Sequence, residues 1–500
     1  MTLRELIAPL KGALLTGSAD LEIGGLRVSS REVTRGDAFI AIRGVSRDGH
    51  DFIEDAIRSG ALAIIAEKAA PADLDGSLAW VQVKDGRFAA AVIGSVFHGN
   101  PSADMKLVGV TGTNGKTTTT FLIHHIMKTA WHQAGLLGTI VVDDGRSSEF
   151  ATHTTPGAIE LSRLLARMRD NACRGVALEV SSHGIHQRRV AATAFDACVF
   201  SNLTQDHLDY HGNLENYFEA KASWFMALAD DPMGKKPVAV INIDDAYGIK
   251  LAERLDKKGM KVIRYGFGVS CDFRANNLRQ NPRGMEFELS TASKQWLVRA
   301  PYIGRFNAYN VLAAITAASA CGIKPREAVA ALTDAPQVPG RMQHIGQAGG
   351  ATVFVDYAHT PDALDNACRA VRELDPRRLI TVFGCGGERD AGKRPLMAQA
   401  AARHSDALVI TSDNPRSEDP ETIIRQIESG LKGRAHVSIT DRAEAIDYAV
   451  KHARSGEIIL IAGKGHETYQ QLATETNDFD DRKVASKALR DRAENISQNR

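Results

Sequence analysis

The stretch that most constrains this chain is Leu107-Val108-Gly109-Val110-Thr111-Gly112-Thr113-Asn114-Gly115-Lys116-Thr117-Thr118-Thr119. Its short apolar opening reads as a buried strand, and a glycine-rich turn follows. Phe121, Leu122, Ile123, Ile126 and Met127 then recur at helical spacing. Strand, turn and helix in that order leave backbone N–H groups pointing outward at a helix N-terminus, which favours an anionic phosphate. Lys116 would reach the terminal phosphates of a nucleotide, and the Thr117 hydroxyl would sit on Mg²⁺. Gly109 lies one residue too far from Gly115 for the strict nucleotide-loop pattern. Glycine-rich turns also serve tight bends without a ligand. Gly-Lys-Thr between strand and helix is what tips the reading toward phosphate.

At 500 residues the chain exceeds one hydrophobic core, and about two to four domains are expected. Lys plus Arg number 61 and Asp plus Glu 60, a net charge of +1. That balance gives no electrostatic reason for nucleic acid or an anionic membrane as partner. No signal peptide is read at the N-terminus, and the longest apolar run, from Val311 to Ile323, is broken by Thr316, Ser319 and Gly322, so no membrane insertion is expected. Cys173, Cys198, Cys271, Cys321, Cys368 and Cys385 show no paired or metal-like spacing. They read as reduced, mostly buried thiols of a cytoplasmic protein.

Residues 1–100 alternate short β-like runs, Ala38 to Ile42 and Ala61 to Ile65, with a helical stretch from Phe52 to Arg58. This predicts a small α/β module. Its loops around Ser29, Ser30 and Arg31, and from Arg43 to His50, suit a sugar nucleotide or are ordinary charged loops. Asn100-Pro101-Ser102 marks the first boundary. From 101 to 335 the pattern predicts a parallel sheet covered by helices. Val176 to Val180, Ala197 to Phe200 and Val238 to Asn242 are its buried strands, each ending in polar residues. Such strand ends form the ligand crevice of parallel sheets. Glu179 closes an apolar strand, which is costly unless a metal ion or a salt bridge compensates it. After Pro336-Gln337-Val338-Pro339-Gly340-Arg341, residues 336–500 carry strands at Ala351 to Val355, Leu379 to Phe383, Ala407 to Thr411 and Glu457 to Ala462. They predict a doubly wound, Rossmann-like unit. The polar tail beyond Asp491 is expected to fray. The expected fold is therefore α/β in three domains, with reactants gathered in a cleft.

Several motifs together resemble the Mur ligases. They are Gly112 to Thr118, Glu179-Val180-Ser181-Ser182-His183-Gly184, Asp206-His207, Gly304-Arg305-Phe306-Asn307-Ala308-Tyr309-Asn310, Pro339-Gly340-Arg341 and Asp356-Tyr357-Ala358-His359-Thr360-Pro361. The likeness runs from about Ser29 to about Val484 and is greatest to members that add the third amino acid of the bacterial cell-wall peptide. It implies a cytoplasmic, monomeric, ATP- and Mg²⁺-dependent ligase in peptidoglycan synthesis, and so in cell shape and division. Its substrate carboxylate attacks the γ-phosphate of ATP, and an amine then displaces phosphate from the acyl phosphate.

The resemblance also implies roles. Gly112, Thr113, Asn114, Gly115, Lys116, Thr117 and Thr118 cradle ATP, with Asn307 near adenine, Asp356 near ribose and Arg341 near the terminal phosphate. Helix capping for Asn307 and solvent-facing charge for the other two are the plainer alternatives. Mg²⁺ is held through Thr117 and Glu179, with a second ion near His207. Lys221 matches a lysine that the family carbamylates, whose CO₂ adduct gives Mg²⁺ an oxygen ligand. His153, Thr154, Thr155, Ser181, Gln187 and Arg189 match contacts to the muramyl dipeptide of UDP-MurNAc-L-Ala-D-Glu, and Ser30 the uridine. His153 stands where many relatives have Asn, and Ser29 where many have Asp.

On the same resemblance, Asp413-Asn414-Pro415-Arg416 is expected to decide the incoming amine, where a lone arginine after a proline would otherwise read as a solvated turn residue. Relatives that add meso-diaminopimelate carry Asn-Pro-Arg, and lysine-adding ones lack the arginine. A guanidinium pairs bidentately with the distal carboxylate that lysine lacks, and it would repel lysine's distal ammonium. Arg389, Gly463 and Glu467 match the remaining contacts, Glu467 suiting an ammonium. L-lysine ligation, folylpolyglutamate synthesis and an ATP-hydrolysing switch are the competing readings.

Overall fold

The computed structural model describes residues 1–44, 47–206, 208–231 and 233–498. It separates into one unit comprising Met1–Cys271 with Ala313–Ala328 and a second comprising Asp272–Leu312 with Val329–Arg500. Among the described residues no helix is long and apolar enough to cross a membrane. All six cysteines are free thiols, and only Cys271 is not buried.

The first unit holds two sheets. One runs in the order Leu14–Thr16, Ala79–Gln82, Ala63–Ala66, Asp37–Ile40, Gly25–Arg27. Its strands pair in parallel except for Leu14–Thr16 at the edge. The second has Lys106–Thr111 near its middle, paired in parallel with Gly175–Glu179 on one side and Ala197–Phe200 on the other. Val238–Asn242 and Val262–Gly266 extend it in parallel beyond Ala197–Phe200, and Ala134–Leu137 does so beyond Gly175–Glu179. The first strand of this series thus sits between later ones, a topological switch point whose crevice opens at the carboxyl ends. The strands are apolar on both faces because helices cover both. Gly109 belongs to this packing and not to the turn. A Cβ there would lie 2.6 Å from Trp224 and 2.8 Å from Phe195, which accounts for its offset from the nucleotide-loop pattern.

The second unit contains a three-stranded antiparallel meander, Phe273–Asn281, Gly284–Ser290 and Gln295–Ala300, where only helix-covered parallel strands were expected. Met285, Phe287 and Leu289 point inward and alternate with Glu286 and Glu288, the period of a strand with one solvated face. Its main sheet runs Gln343–Ala348, Ala351–Asp356, Glu457–Ala462, Arg378–Phe383, Ala407–Ile410, Val437–Ser438. It is parallel apart from its first strand. Leu379 and Phe383 join one apolar cluster with the helices Pro361–Arg372, Lys393–His404 and Pro420–Glu428. Ile380 and Val382 join another with Arg442–His452 and Asp481–Gln498. Alternate residues feeding opposite cores make this a doubly wound sheet. The tail does not fray at Asp491: its helix continues to Gln498. Arg492 pins it by donating to the carbonyls of Ala348 at 3.1 Å and Val450 at 2.8 Å.

Candidate active site

Strand Lys106–Thr111 delivers the Gly112–Gly115 turn to the N-terminus of helix Lys116–Trp131. The turn is fastened to the segment after Ala197–Phe200. Thr113 N–H donates to Asn202 O at 2.9 Å, Asn114 N–H to Asn202 Oδ1 at 3.0 Å, and Asn114 Nδ2 to Thr204 Oγ1 at 3.2 Å. Lys116 folds back over the turn, its Nζ 3.0 Å from Gly112 O and 2.8 Å from Thr113 O. Thr118 is buried just behind.

Glu179 is 0 % exposed. Its carboxylate accepts from Thr117 Oγ1 at 3.1 Å, Thr139 N–H at 2.8 Å and Thr139 Oγ1 at 2.9 Å. Hydroxyls and an amide, and no cation among the described residues, surround it. Lys221 comes from the helix Leu214–Asp230 and is 1 % exposed. Its Nζ lies 2.9 Å from Gly112 O and 4.4 Å from the centre of the Tyr217 ring. Burial pushes its pKa well below the usual lysine range, the Lys116 ammonium adds to that shift, and Asp206 opposes it. His207, expected beside these groups, lies outside the described residues. Among the described residues no three His, Cys, Asp or Glu side chains gather as a metal cage.

A second set adjoins the first through Glu179. Thr155 Oγ1 donates to Glu179 O at 2.8 Å and to Ser181 Oγ at 3.1 Å. Thr154 Oγ1 is 3.1 Å from Thr139 Oγ1. Arg189 Nη1 donates to Thr155 O at 2.6 Å and its Nη2 to Gln187 Oε1 at 2.8 Å. Burial and then Arg87 lower the Arg189 pKa. Among the described residues, exposed His153 hydrogen-bonds only to Thr152, at 3.2 Å. Ser30 opens the short 3₁₀ turn Ser30–Glu32, apart from this set. Between the five-stranded sheet and the helix Ser182–His186 lies a cavity of about 490 Å³ lined by Arg43, Glu67, Arg87 and Arg188.

In the second unit Asp356 accepts Met342 N–H at 2.6 Å and Ala358 N–H at 2.9 Å. Burial raises its pKa and Arg341 opposes the rise. The Arg341 guanidinium lies 4.7 Å from the Tyr357 ring centre, with His466 packed 4.8 Å from the same ring. Burial, then Arg341, holds the His466 pKa down at about 3. Asn307 is the third residue of the helix Arg305–Ala320, not its cap. Its amide is 1 % exposed and bonds inward to Ile303 O at 2.8 Å and Asn310 at 2.9 Å.

The strand ends of the main sheet carry a further cluster. Asn414 Nδ2 donates to Glu467 Oε2 at 2.9 Å. Arg416, with φ +54°, donates through Nη1 to Gly387 O at 2.6 Å. A Cβ on Gly463, whose φ is +119°, would lie 2.7 Å from Asp413 Oδ2, so only glycine lets these two loops close. Buried Pro415 lies between Asn414 and Arg416. Arg389 is exposed, yet it converges on the same spot. Burial raises the Tyr469 pKa, Glu467 and Asp413 add to the rise, and Arg416 and Arg389 oppose it. Lys464, to which the sequence alone assigns a place in the polar cluster Gly463 to Glu467 but no role, is fully buried against Asn414 and Glu467. The signal was a lysine held between two glycines directly after an apolar strand.

Comparison with known proteins accounts for this arrangement. Residues 22–104, 110–318 and 340–465 match, in turn, the Mur ligase family catalytic domain, the Mur ligase middle domain and the Mur ligase glutamate ligase domain. The UDP-N-acetylmuramoyl-L-alanyl-D-glutamate--2,6-diaminopimelate ligase of Geobacillus kaustophilus is 43 % identical over 495 residues, covering 98 % of this chain and 100 % of the relative. The enzyme of the same name from Geobacter metallireducens is 41 % identical, covering 98 % and 99 %. A solved structure of a UDP-N-acetylmuramoyl-L-alanyl-D-glutamate--2,6-diaminopimelate ligase superposes with a TM-score of 0.73 at 32 % identity, covering 100 % of this chain and 99 % of that one. The fold is shared with MurF ligase from Thermotoga maritima in complex with ADP, at a TM-score of 0.60, 19 % identity and coverage of 96 % and 100 %. Matched along three successive segments and at full length, this chain belongs to the Mur ligase family.

Proposed function

We infer that this chain is the ATP-dependent ligase that joins meso-diaminopimelate to the D-glutamate of UDP-N-acetylmuramoyl-L-alanyl-D-glutamate. The names of its full-length relatives support the substrates. The observation that carries the chemistry is the grouping of Lys116, Thr117, Glu179 and Lys221 around the Gly112–Gly115 turn. The γ-carboxylate of D-glutamate attacks the γ-phosphorus of ATP, and ADP leaves. The amine then attacks the acyl phosphate and expels inorganic phosphate.

Two anions meet in the first step, so the field around the phosphoryl oxygens decides its rate. The N-terminus of the helix Lys116–Trp131 and the Lys116 ammonium, swung off the Gly112 and Thr113 carbonyls, supply positive charge. Mg²⁺ fits the donor set, because Thr117 and Glu179 offer two hard oxygens 3.1 Å apart, and this ion keeps few protein ligands beside phosphate and water. When bound, it neutralises charge on the transferring group. Lys221, desolvated and with a lowered pKa, gives up its proton more readily than an exposed lysine, and the free amine attacks CO₂, loses a proton and becomes a carbamate. Thr154, Thr155, Ser181, Gln187 and Arg189 hold the dipeptide, with His153 at its exposed rim and Ser30 toward uridine. Asn307, Asp356 and Arg341 serve the nucleotide. Arg416 and Arg389 take the distal carboxylate of diaminopimelate, and Asp413 and Glu467 an ammonium. ATP and the nucleotide-linked substrate place the reaction in the cytoplasm.

The test is phosphate release and product formation with diaminopimelate, lysine and ornithine. Release that requires both the nucleotide dipeptide and diaminopimelate supports the reading. Equal use of lysine, or release without either substrate, overturns it.

A further inference from the structure

Lys464 has no role in the chemistry above, yet it is the most enclosed charge among the loops that follow the main sheet of the second unit. It is 0 % exposed. Its Nζ lies 2.9 Å from Asn414 Oδ1 and 3.0 Å from Glu467 Oε2. Asn414 donates its Nδ2 to that same Oε2 at 2.9 Å, so each of the three side chains touches the other two. Asn414 Oδ1 also accepts Gln471 N–H at 3.0 Å, which ties the triangle to the hairpin of Tyr469–Gln471 and Thr476–Asp478. The Glu467 carboxylate is therefore divided. Oε2 receives two buried donors, and Oε1 has no hydrogen-bond partner among the described residues.

A buried ammonium is costly unless paired and hydrogen-bonded, so Lys464 cannot release Glu467 cheaply. We propose that Lys464 is a positioning residue of the amino-acid subsite. It clamps Oε2 of Glu467 and the amide oxygen of Asn414, so that Oε1 stands preformed for an ammonium group of the incoming diamino acid. This deepens the reading of these loops as the diaminopimelate subsite and rests on it. Without the clamp, Glu467 regains rotamer freedom that binding must then remove. Asn414 acts in the same frame: both lone pairs of Oδ1 and one Nδ2 hydrogen are committed to protein, leaving one hydrogen for substrate.

Steady-state kinetics of the full-length enzyme test this, with ATP, the UDP-linked dipeptide and diaminopimelate varied in turn. Lys464→Met keeps the length and removes the charge. It should raise the KM for diaminopimelate by roughly 10- to 100-fold, the range seen when a group that orients a ligating side chain is lost. kcat at saturating diaminopimelate should change less, and the KM for ATP should stay within about twofold, which also reports an intact fold. Where Met does not fold, Lys464→Gln keeps a donor in the pocket and should give a smaller rise in the same direction. In a Glu467→Gln background Lys464→Met should add little, because its effect runs through Glu467. An unmoved diaminopimelate KM, equal rises in all three KM values, or a full multiplicative effect in the Glu467→Gln background would overturn the clamp. If the wild type failed to ligate diaminopimelate, the substrate reading would fall instead.

Discussion

Lys116 and Lys221 point their amino nitrogens at one oxygen, the Gly112 carbonyl, from 3.0 and 2.9 Å. They are unlike neighbours. Lys116 is half-buried at the mouth of the turn, and Lys221 is sealed beneath it. Burial, and then the Lys116 ammonium beside it, push the Lys221 pKa well below the usual lysine range. Burial therefore weighs against the charge on Lys221 far more than on Lys116, which stands at the mouth of the turn.

That shift has a thermodynamic signature. Lys221 has a folded-state pKa well below its usual 10.5, so unfolding takes up a proton throughout the interval between the two values. Stability then rises with pH across that window. In CO₂-free buffer the melting temperature of the wild type should rise relative to Lys221→Met as the pH is raised toward 10.5. A constant difference would mean that Lys221 is charged in the fold. Lys221→Ala should also lower ligation by roughly 10- to 100-fold, with partial recovery in short carboxylates, as befits loss of an oxygen that orients a metal.

Glu179→Gln retains the volume of a side chain that is 0 % exposed. It replaces an acceptor for three donors with a group that can accept at only one of its two ends. Acyl-phosphate formation, followed by ADP release, should fall by roughly 10²- to 10³-fold, the size of losing one preorganised electrostatic contact. Half the wild-type rate or more would remove Glu179 from the phosphoryl-transfer step.

Arg416→Ala removes a guanidinium anchored on Gly387 O at 2.6 Å. A charge-assisted hydrogen bond is worth about 1.5–3 kcal/mol. The KM for diaminopimelate should therefore rise by roughly 10- to 150-fold, with the KM for ATP unchanged, while the preference over lysine shrinks. An unchanged diaminopimelate KM would refute the assigned role.

Arg442 and Asp481 form a fully buried pair, 0 % exposed on both sides, with two contacts of 2.7 Å. The same guanidinium reaches Ser412 O at 3.2 Å and Ala462 O at 3.0 Å, the residues that open the two loops of the proposed amino-acid subsite. Arg442→Met should cost about 3–5 kcal/mol in urea unfolding, because Asp481 is left charged and buried. Adding Asp481→Leu should recover much of that loss without restoring the diaminopimelate KM.

The strand-turn-helix at Leu107 to Met127 was legible because it is local: an apolar run, three glycines and a helical period specify it within about twenty residues. Four of the six strands of the main sheet in the second unit were legible for the same reason, to within a residue, while the edge strands Gln343–Ala348 and Val437–Ser438 were not. The meander Phe273 to Ala300 was equally written in alternation at Met285, Phe287 and Leu289, but it reads weakly beside longer parallel runs. What only the tertiary structure decided is who partners whom. Lys221 finds the Gly112 carbonyl, Arg442 finds Asp481, and Lys464 closes on Asn414 and Glu467 across separations no periodicity encodes. Burial makes those pairings obligatory, since a charge removed from water must find its complement inside, and which complement is nearby depends on the order of strands in the sheet.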